Sequence, residues 1–389
     1  MSTTALPAWA RDDAFPEKPG EGNFGFKGAK GAIFSFEDLA GLQQFLASGK
    51  GRLAWVWTPE SDRLIAPEEV PALAQALKKR RALFAEYDAE DARKGFFIFG
   101  AAIAWTGYSA ISSGGLAALA RSANFGFAVL LFLIFALRPW WESRKGRREV
   151  ATFSADNLKD EIPEARFELW LDSQKSYLTM FLVGLVTVVC AVQFFVPDMG
   201  IARAGLVKPA YHAGQPWRLF TAAFMHGNLL HYAMNISALW YLARRVEVLA
   251  RWPHLVGVFF VSMIGAGWAT LTWLPAQTSV GVSGVVCGLL GFLLVFETLH
   301  RPLVPRSARR RLLGILGSLV VIGALGYAFI DNAAHFGGLI SGACYAAIVF
   351  PKSSSPERPV ILKRDIAMGG LSLVFICLSA IVAVVAMLI

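Results

Sequence analysis

The sequence predicts an all-α polytopic membrane protein that carries a small α+β module at its N-terminal end. Three observations predict it. The 389 residues are 55% hydrophobic, with a mean hydropathy of +0.49, too apolar for an ordinary water-soluble domain. Apolar runs at 176–196, 255–274 and 366–389 approach the roughly 20 residues that cross a bilayer core. Residues 1–95, by contrast, mix polar and apolar positions and hold no spanning run. The net charge of +9 sits in short loops between apolar runs. That is positive-inside topology, so the basic balance points to a lipid bilayer and argues against a nucleic-acid partner. Cys190, Cys287, Cys344 and Cys377 all fall in apolar spans and read as small packing residues, without a disulfide framework or a zinc site. No basic, then apolar, then small-residue pattern opens the chain, so no cleavable signal peptide is expected.

Within the cytosolic module of 1–95, residues 1–31 are rich in Gly, Pro and Lys and are expected to be poorly ordered. Residues 32–36 read as a strand and 35–48 as a helix capped near Ser35 or Phe36. A second strand at 52–58 and a helix at about 67–81 follow, the helix ending in Lys78, Lys79, Arg80 and Arg81. This order predicts a βαβα-like unit whose basic run faces solvent or lipid headgroups. A transmembrane hairpin occupies 96–138, from apolar segments at 95–111 and 116–137, with Arg121 near an end where it can snorkel. Arg138, Pro139, Trp140 and Trp141 supply an aromatic belt, and Arg144, Lys145, Arg147 and Arg148 mark the cytoplasmic side. In the linker 139–175, Phe167, Trp170 and Leu171 recur at helical spacing, which predicts an interfacial helix.

A six-helix core at 176–350 comes next, with spans at 177–196, 226–243, 254–274, 281–299, 312–330 and 333–350. An additional helix occupies 364–389. Arg244, Arg245 and Arg251, then Arg301, Arg306, Arg309, Arg310 and Arg311, then Lys352, Arg358, Lys363 and Arg364 fill every second loop. Assigning those loops to the cytoplasm puts the N-terminal module inside and the C-terminus outside, with nine spans. His226, Ser283 and His335 then all lie at outward-facing ends.

Polar clusters interrupt three of these spans: His226, His231 and Asn235; Gly281, Val282, Ser283 and Gly284; Ala334, His335, Phe336, Gly337 and Gly338. An ionisable residue within a span costs roughly 2.5–3.5 kcal/mol on insertion scales and usually lines a cavity or a site. A helical zinc pair needs histidines at i and i+4, about 40° apart, whereas i and i+5 are about 140° apart. His226 and His231 have the second spacing and no carboxylate between them, so no metal is expected. His231 and Asn235 share a face. They can both donate into one cavity or act as hydrogen-bond glue between helices. A serine between glycines equally serves close packing. The balance shifts because Gly284, Gly288 and Gly291 on one span match Gly338 and Gly342 on another. Pressing those faces together would bring the Ser283 hydroxyl within reach of the His335 imidazole, which otherwise reads as a structurally paired histidine. A hydroxyl nucleophile, a base and hydrogen-bond donors are the parts of an acyl-transfer site.

Trp217 and Arg218, then His226, His231 and Asn235, then Gly281 to Gly284, then Ala334, His335, Gly338 and Gly342 resemble, in order and placement, the rhomboid intramembrane serine proteases. The resemblance covers about 176–350. It implies a rhomboid-like six-helix core and a serine endopeptidase that cleaves transmembrane or membrane-proximal segments of substrate proteins, without a cofactor. It also implies a bacterial inner membrane and an active site opening to the outer face. Ser283 would be the nucleophile and His335 the general base of a dyad, since no acidic residue in the spans is placed to orient the imidazole. His231 and Asn235, with the backbone N–H of Ser283, would form the oxyanion hole. His226 would support the loop holding Trp217 and Arg218, and Gly281, Gly284, Gly338 and Gly342 would support the site. Glu247 would be structural. One departure is Cys287, where many members carry an aromatic residue that stacks on the histidine. Two other classes compete: a non-catalytic relative that binds membrane clients, which usually lacks the serine or the histidine, and a transporter, whose mark would be inverted repeats that this chain does not display.

Overall fold

The computed structural model describes residues 6–19, 22–28, 31–50, 55–274, 278–327 and 329–389. The chain divides into two compact units, one drawing most of its residues from Gln174–Gly317 and Asp331–Ile389, the other from Ala8–Ser173 and Ser318–Ile330.

In the second of these, short 3-10 turns at Ala8–Ala10 and Asp12–Ala14 precede β1 (Phe24–Lys27), so the described part of 1–31 is structured where poor order was expected. Next come β2 (Ile33–Phe36), α1 (Leu39–Ala47) and β3 (Trp55–Trp57). β1 is the central strand and pairs antiparallel with both neighbours, Phe26 lying opposite Phe34 and Val56. The sheet is therefore an antiparallel one and not a βαβα unit. β1 is not evident from the sequence because its alternation is only four residues long in a Gly- and Lys-rich stretch. Residues 52–54 of the expected second strand lie outside the described residues. Gly25 is required by packing, since a Cβ there would overlap the Trp57 indole. Ser35 and Phe36 belong to β2, and α1 is capped instead by Asp38, whose side chain accepts from the Gly41 N–H at 2.8 Å. Phe26, Leu42, Leu46, Val56, Leu73 and Ala76 form the core.

α2 (Ala74–Gly114) does not stop at Arg81. Ala82, Leu83, Phe84, Ala85 and Glu86 follow the basic run without a breaker, and the helix ends only where Gly115 takes φ +69°. α3 (Leu116–Arg121) and α4 (Ala123–Phe132) turn the chain back, and a π turn at Leu133–Leu137 leads into α5 (Arg138–Ala151). The return helix lies close on α2, because a Cβ at Gly95 would strike the Phe135 carbonyl, and Phe99 stacks on Phe135 at 5.3 Å. α6 (Ala155–Ser173) holds Phe167, Trp170 and Leu171. Their apolar face is buried in protein, and not laid on an interface as expected. Trp9 packs edge-on against Phe167, and Arg166 bridges Glu69 at 2.6 Å and Asp12 at 2.7 Å.

The remaining helices are α7 (Tyr177–Phe195), α8 (Pro197–Ala204), α9 (Lys208–His212), α10 (Arg218–Thr221), α11 (Leu229–Ala250), α12 (Trp252–Trp273), α13 (Ser283–Leu299), α14 (Arg306–Leu325), α15 (Asn332–Val349) and α16 (Lys363–Leu388). The protein is a polytopic all-α membrane protein with a small N-terminal sheet. Among the described residues, five helices are long and apolar enough to cross a membrane: Pro71–Gly114, Ala123–Ala151, Tyr177–Phe195, Trp252–Trp273 and Lys363–Leu388, with Ser283–Leu299 shorter. Nine spans are expected from the sequence. The shortfall is chemical: α11 carries His231, Asn235, Arg244, Arg245 and Glu247, α14 opens on four arginines, and α15 is rich in Gly and Ala.

Backbone-to-backbone packing holds α13 and α15 together. A Cβ at Gly338 would fall on the Gly284 carbonyl oxygen, and one at Gly342 on that of Gly288. α12 adds a third small-residue face, its Gly265 lying against Ser341 and Gly337. Two polar ties brace the other ends. Glu247 accepts from the N–H groups of Leu178 and Thr179 at 3.1 and 2.7 Å, capping α7. Arg245 meets Glu297 in a two-pronged pair at 2.6 and 2.9 Å, fully buried, whose partner removal is costly.

Candidate active site

Ser283 is the first residue of α13 and His335 lies in the first turn of α15. The Gly284 and Gly338 contact sets these turns side by side, and Ser283 Oγ lies 2.8 Å from His335 Nε2. That geometry lets the hydroxyl donate to an unprotonated ring nitrogen. The other nitrogen, Nδ1, is buried and has no hydrogen-bond partner among the described residues. No ring there stacks on His335 either, and Cys287 is buried within α13. The imidazole is held by its serine bond and by close packing.

Gly281, two residues before the serine, takes φ +118°, a conformation that strains any side chain. Its N–H donates to the Ala222 carbonyl at 2.9 Å. A Cβ at this position would lie 3.1 Å from His231 Nε2 and 3.5 Å from Asn235 Nδ2, so both side chains converge on the open face of one glycine. The i, i+4 spacing does this on α11, whose start Asn228 fixes by accepting from the His231 N–H at 2.8 Å. The Gly227 N–H approaches His231 Nδ1 at 3.4 Å, which leaves the proton of a neutral ring on Nε2. Asn235 Nδ2 is buried and unpartnered among the described residues. Adjacent N–H groups at the start of α13, including that of Ser283, have no acceptor in their own helix. The arrangement sets a serine hydroxyl against an imidazole nitrogen, beside two side-chain nitrogens that face one glycine.

His226 is fully buried and packs edge-on against the His231 ring at 5.2 Å. Gln193 holds its main chain on both sides, accepting from the N–H at 2.8 Å and donating to the carbonyl at 2.5 Å. Arg218 is buried at the start of α10, donating to the Ala202 and Gly205 carbonyls at 2.9 and 2.8 Å, with its guanidinium over Trp217. Gln193, Lys208, Asp331 and the Arg245–Glu297 pair were not singled out from the sequence. A lone glutamine or glutamate in an apolar span, or an aspartate three residues ahead of a first-turn N–H, was the available signal. Lys208 is 1% exposed and donates to Thr270 Oγ1 at 2.9 Å. Burial pulls its ammonium below the ordinary lysine range, with Asp331 opposing the shift.

A Rhomboid domain is matched over residues 213–352. Rhomboid protease GlpG of Yersinia pestis (strain Pestoides F) is 30% identical over 225 residues, 55% of this chain and 76% of the relative. The GlpG of Yersinia pseudotuberculosis serotype I (strain IP32953) is 31% identical over the same length. RHOMBOID-like protein 6, mitochondrial, of Arabidopsis thaliana is 29% identical over 149 residues, and the match spans only 48% of that relative. The matched domain takes in Asn228 through His335, which include the serine–histidine pair and the residues around Gly281. The chain belongs to the rhomboid family of intramembrane proteases.

Proposed function

We propose that the protein is an intramembrane serine endopeptidase that cleaves transmembrane or membrane-proximal segments of other proteins through a Ser283–His335 dyad. The observation that carries this reading is the 2.8 Å Ser283–His335 bond beside a glycine cradle faced by two side-chain donors. Ser283 Oγ attacks the scissile carbonyl carbon as its proton passes to His335 Nε2. The carbonyl oxygen gains negative charge and takes hydrogen bonds from His231 Nε2–H, Asn235 Nδ2–H and the Ser283 N–H, donors already oriented before the reaction. His335 returns the proton to the departing amine, which leaves an acyl ester on Ser283. A water that gives its proton to His335 then attacks the ester and frees the serine. Gly281, Gly284, Gly338 and Gly342 act by letting backbone and side chains approach. His226 supports the connection between α7 and α11, in which Trp217 and Arg218 lie.

Residues 176–350 form the protease core in this reading, with 1–95 a cytosolic module, 96–138 a hairpin, 139–175 a linker and 364–389 an added helix. The N-terminus lies in the cytoplasm of a bacterium and the dyad opens at the outer face. The purified protein, reconstituted in vesicles with a fluorescent single-span substrate, is the test. Wild type cleaves, while Ser283→Ala and His335→Ala, inserted at equal levels, do not. Cleavage by Ser283→Ala at the wild-type rate would remove the proposal, and a wild type inactive on a panel of single-span substrates would favour the client-binding alternative.

A further inference from the structure

We propose that Asp331 is the positioning residue that sets the register between the helices carrying Ser283 and His335, an inference that rests on the dyad reading above. Oδ1 accepts from the Ala334 N–H at 2.9 Å, capping α15 immediately before His335. Oδ2 accepts from Ser279 Oγ at 2.5 Å and from Thr270 Oγ1 at 2.6 Å. Ser279 lies on the segment that enters α13, and its main chain is pinned twice. The Leu206 N–H donates to its carbonyl at 3.0 Å, and its own N–H donates to the Leu206 carbonyl at 3.2 Å. Thr270, near the end of α12, in turn accepts from the buried Lys208 ammonium at 2.9 Å, which also donates to the Leu274 carbonyl. One carboxylate therefore joins the first turn of α15, the approach to Gly281 and Ser283, the end of α12 and, through Thr270, the start of α9 at Lys208.

The glycine contacts by themselves set how closely the helices approach, not their position along the axis. Gly284, Gly288, Gly338 and Gly342 bring α13 and α15 into backbone contact, but glycines present no ridges to lock against grooves along the helix axis. Charge-assisted hydrogen bonds are shorter and stronger than neutral ones and carry direction. Placed at the reacting end of the glycine face, the Asp331 bonds fix the position that packing leaves soft. Asp331 is not a third member of the dyad. His335 Nδ1 has no partner among the described residues, so the carboxylate acts through the backbone of α15 and through Ser279.

The test separates capping from registration. Asp331→Ser keeps an oxygen for the Ala334 N–H but is too short to reach Ser279 and Thr270. Ser279→Ala removes one tie and leaves the cap. Asp331→Asn keeps the cap and can bond both hydroxyls, which can rotate to suit. Cleavage kinetics in vesicles and the 15N shifts of the His335 imidazole are measured for each. Asp331→Ser is expected to lower kcat by about 10- to 100-fold with KM nearly unchanged, the scale set by a misplacement of about 1 Å. Ser279→Ala lowers kcat in the same direction, the double variant is no slower than Asp331→Ser alone, and Asp331→Asn recovers most of the rate. Both of the slow variants shift the imidazole resonances. Wild-type kcat in Asp331→Ser, or losses that simply add in the double variant, would overturn the proposal. If Asp331→Ser does not accumulate, an unaltered kcat in Ser279→Ala overturns it equally. A wild type that neither cleaves nor reacts at Ser283 would sink the dyad reading instead. The imidazole shifts would still decide the tie, unchanged resonances in both variants refuting it.

Discussion

Gly281 holds φ +118°, and the space a side chain would fill there is bordered by His231 Nε2 and Asn235 Nδ2. Donors fixed in advance around such a space lower the cost of a developing oxyanion, and loss of one typically lowers kcat by about 10²–10³-fold. His231→Ala and Asn235→Ala are expected to reduce kcat far more than they raise KM, because the bonds strengthen only in the transition state. Asn235→Ala keeps residual turnover, since His231 and a backbone donor remain. Full turnover in both single variants, measured on one substrate, would leave these side chains as interhelical glue. At this scale the sequence is most readable where a role follows from spacing within one helix. His231 and Asn235 share a face by their i, i+4 spacing, and Ser283 and His335 each sit beside glycines that matched across spans. Gln193 and Asp331 were not readable in that way. Each acts on an element remote in sequence, Gln193 on the main chain of His226 and Asp331 on Ser279 and Thr270. Cap or span polarity alone does not name such a partner.

α13 and α15 meet through backbone, so their contact tolerates little. A leucine at Gly338 would drive its side chain into the Gly284 backbone. Overpacking of that kind typically costs about 1–3 kcal/mol, but a shift of about 1 Å between nucleophile and base can cost about a hundredfold in rate. Gly338→Leu is expected to insert and accumulate yet lose most cleavage. Cys344→Leu, on the exposed side of the same helix, should cleave at close to the wild-type rate. Near-normal cleavage by Gly338→Leu, with insertion checked by protease protection, would mean that this packing does not bring the dyad together. Element boundaries were readable where apolar runs are long, as at α7, α12 and α16. They failed where local signals mislead. The basic run at Lys78 to Arg81 suggested a helix end but is followed by strong helix formers, so α2 continues to Gly114. The face of α6 bearing Phe167 and Trp170 looked interfacial because the residues that cover it, such as Trp9, lie far away in the chain.

On the scale of the whole molecule, basic clusters follow α11, α13 and α15 at the ends opposite those that carry His231, Ser283 and His335. A topology follows that labelling can check. In a cysteine-free background, Ala213→Cys, in an exposed turn of the loop between α9 and α10, should react with an impermeant thiol reagent in intact cells. Ser354→Cys, exposed between α15 and α16, should react only after lysis. The opposite pattern would turn the site toward the cytoplasm. The antiparallel arrangement of the N-terminal sheet was hidden from the sequence, because pairing of β1 with both β2 and β3 is a long-range choice that short strands do not announce. The claim on which the rest depends is that Ser283 is an activated nucleophile, since an unassisted hydroxyl is nearly inert at neutral pH. A fluorophosphonate probe applied to the reconstituted protein, followed by peptide mapping, tests it most directly. The account predicts one adduct, on Ser283, that is absent from Ser283→Ala and strongly reduced in His335→Ala. Equal labelling of Ser283→Ala, or an adduct on another serine, would contradict it.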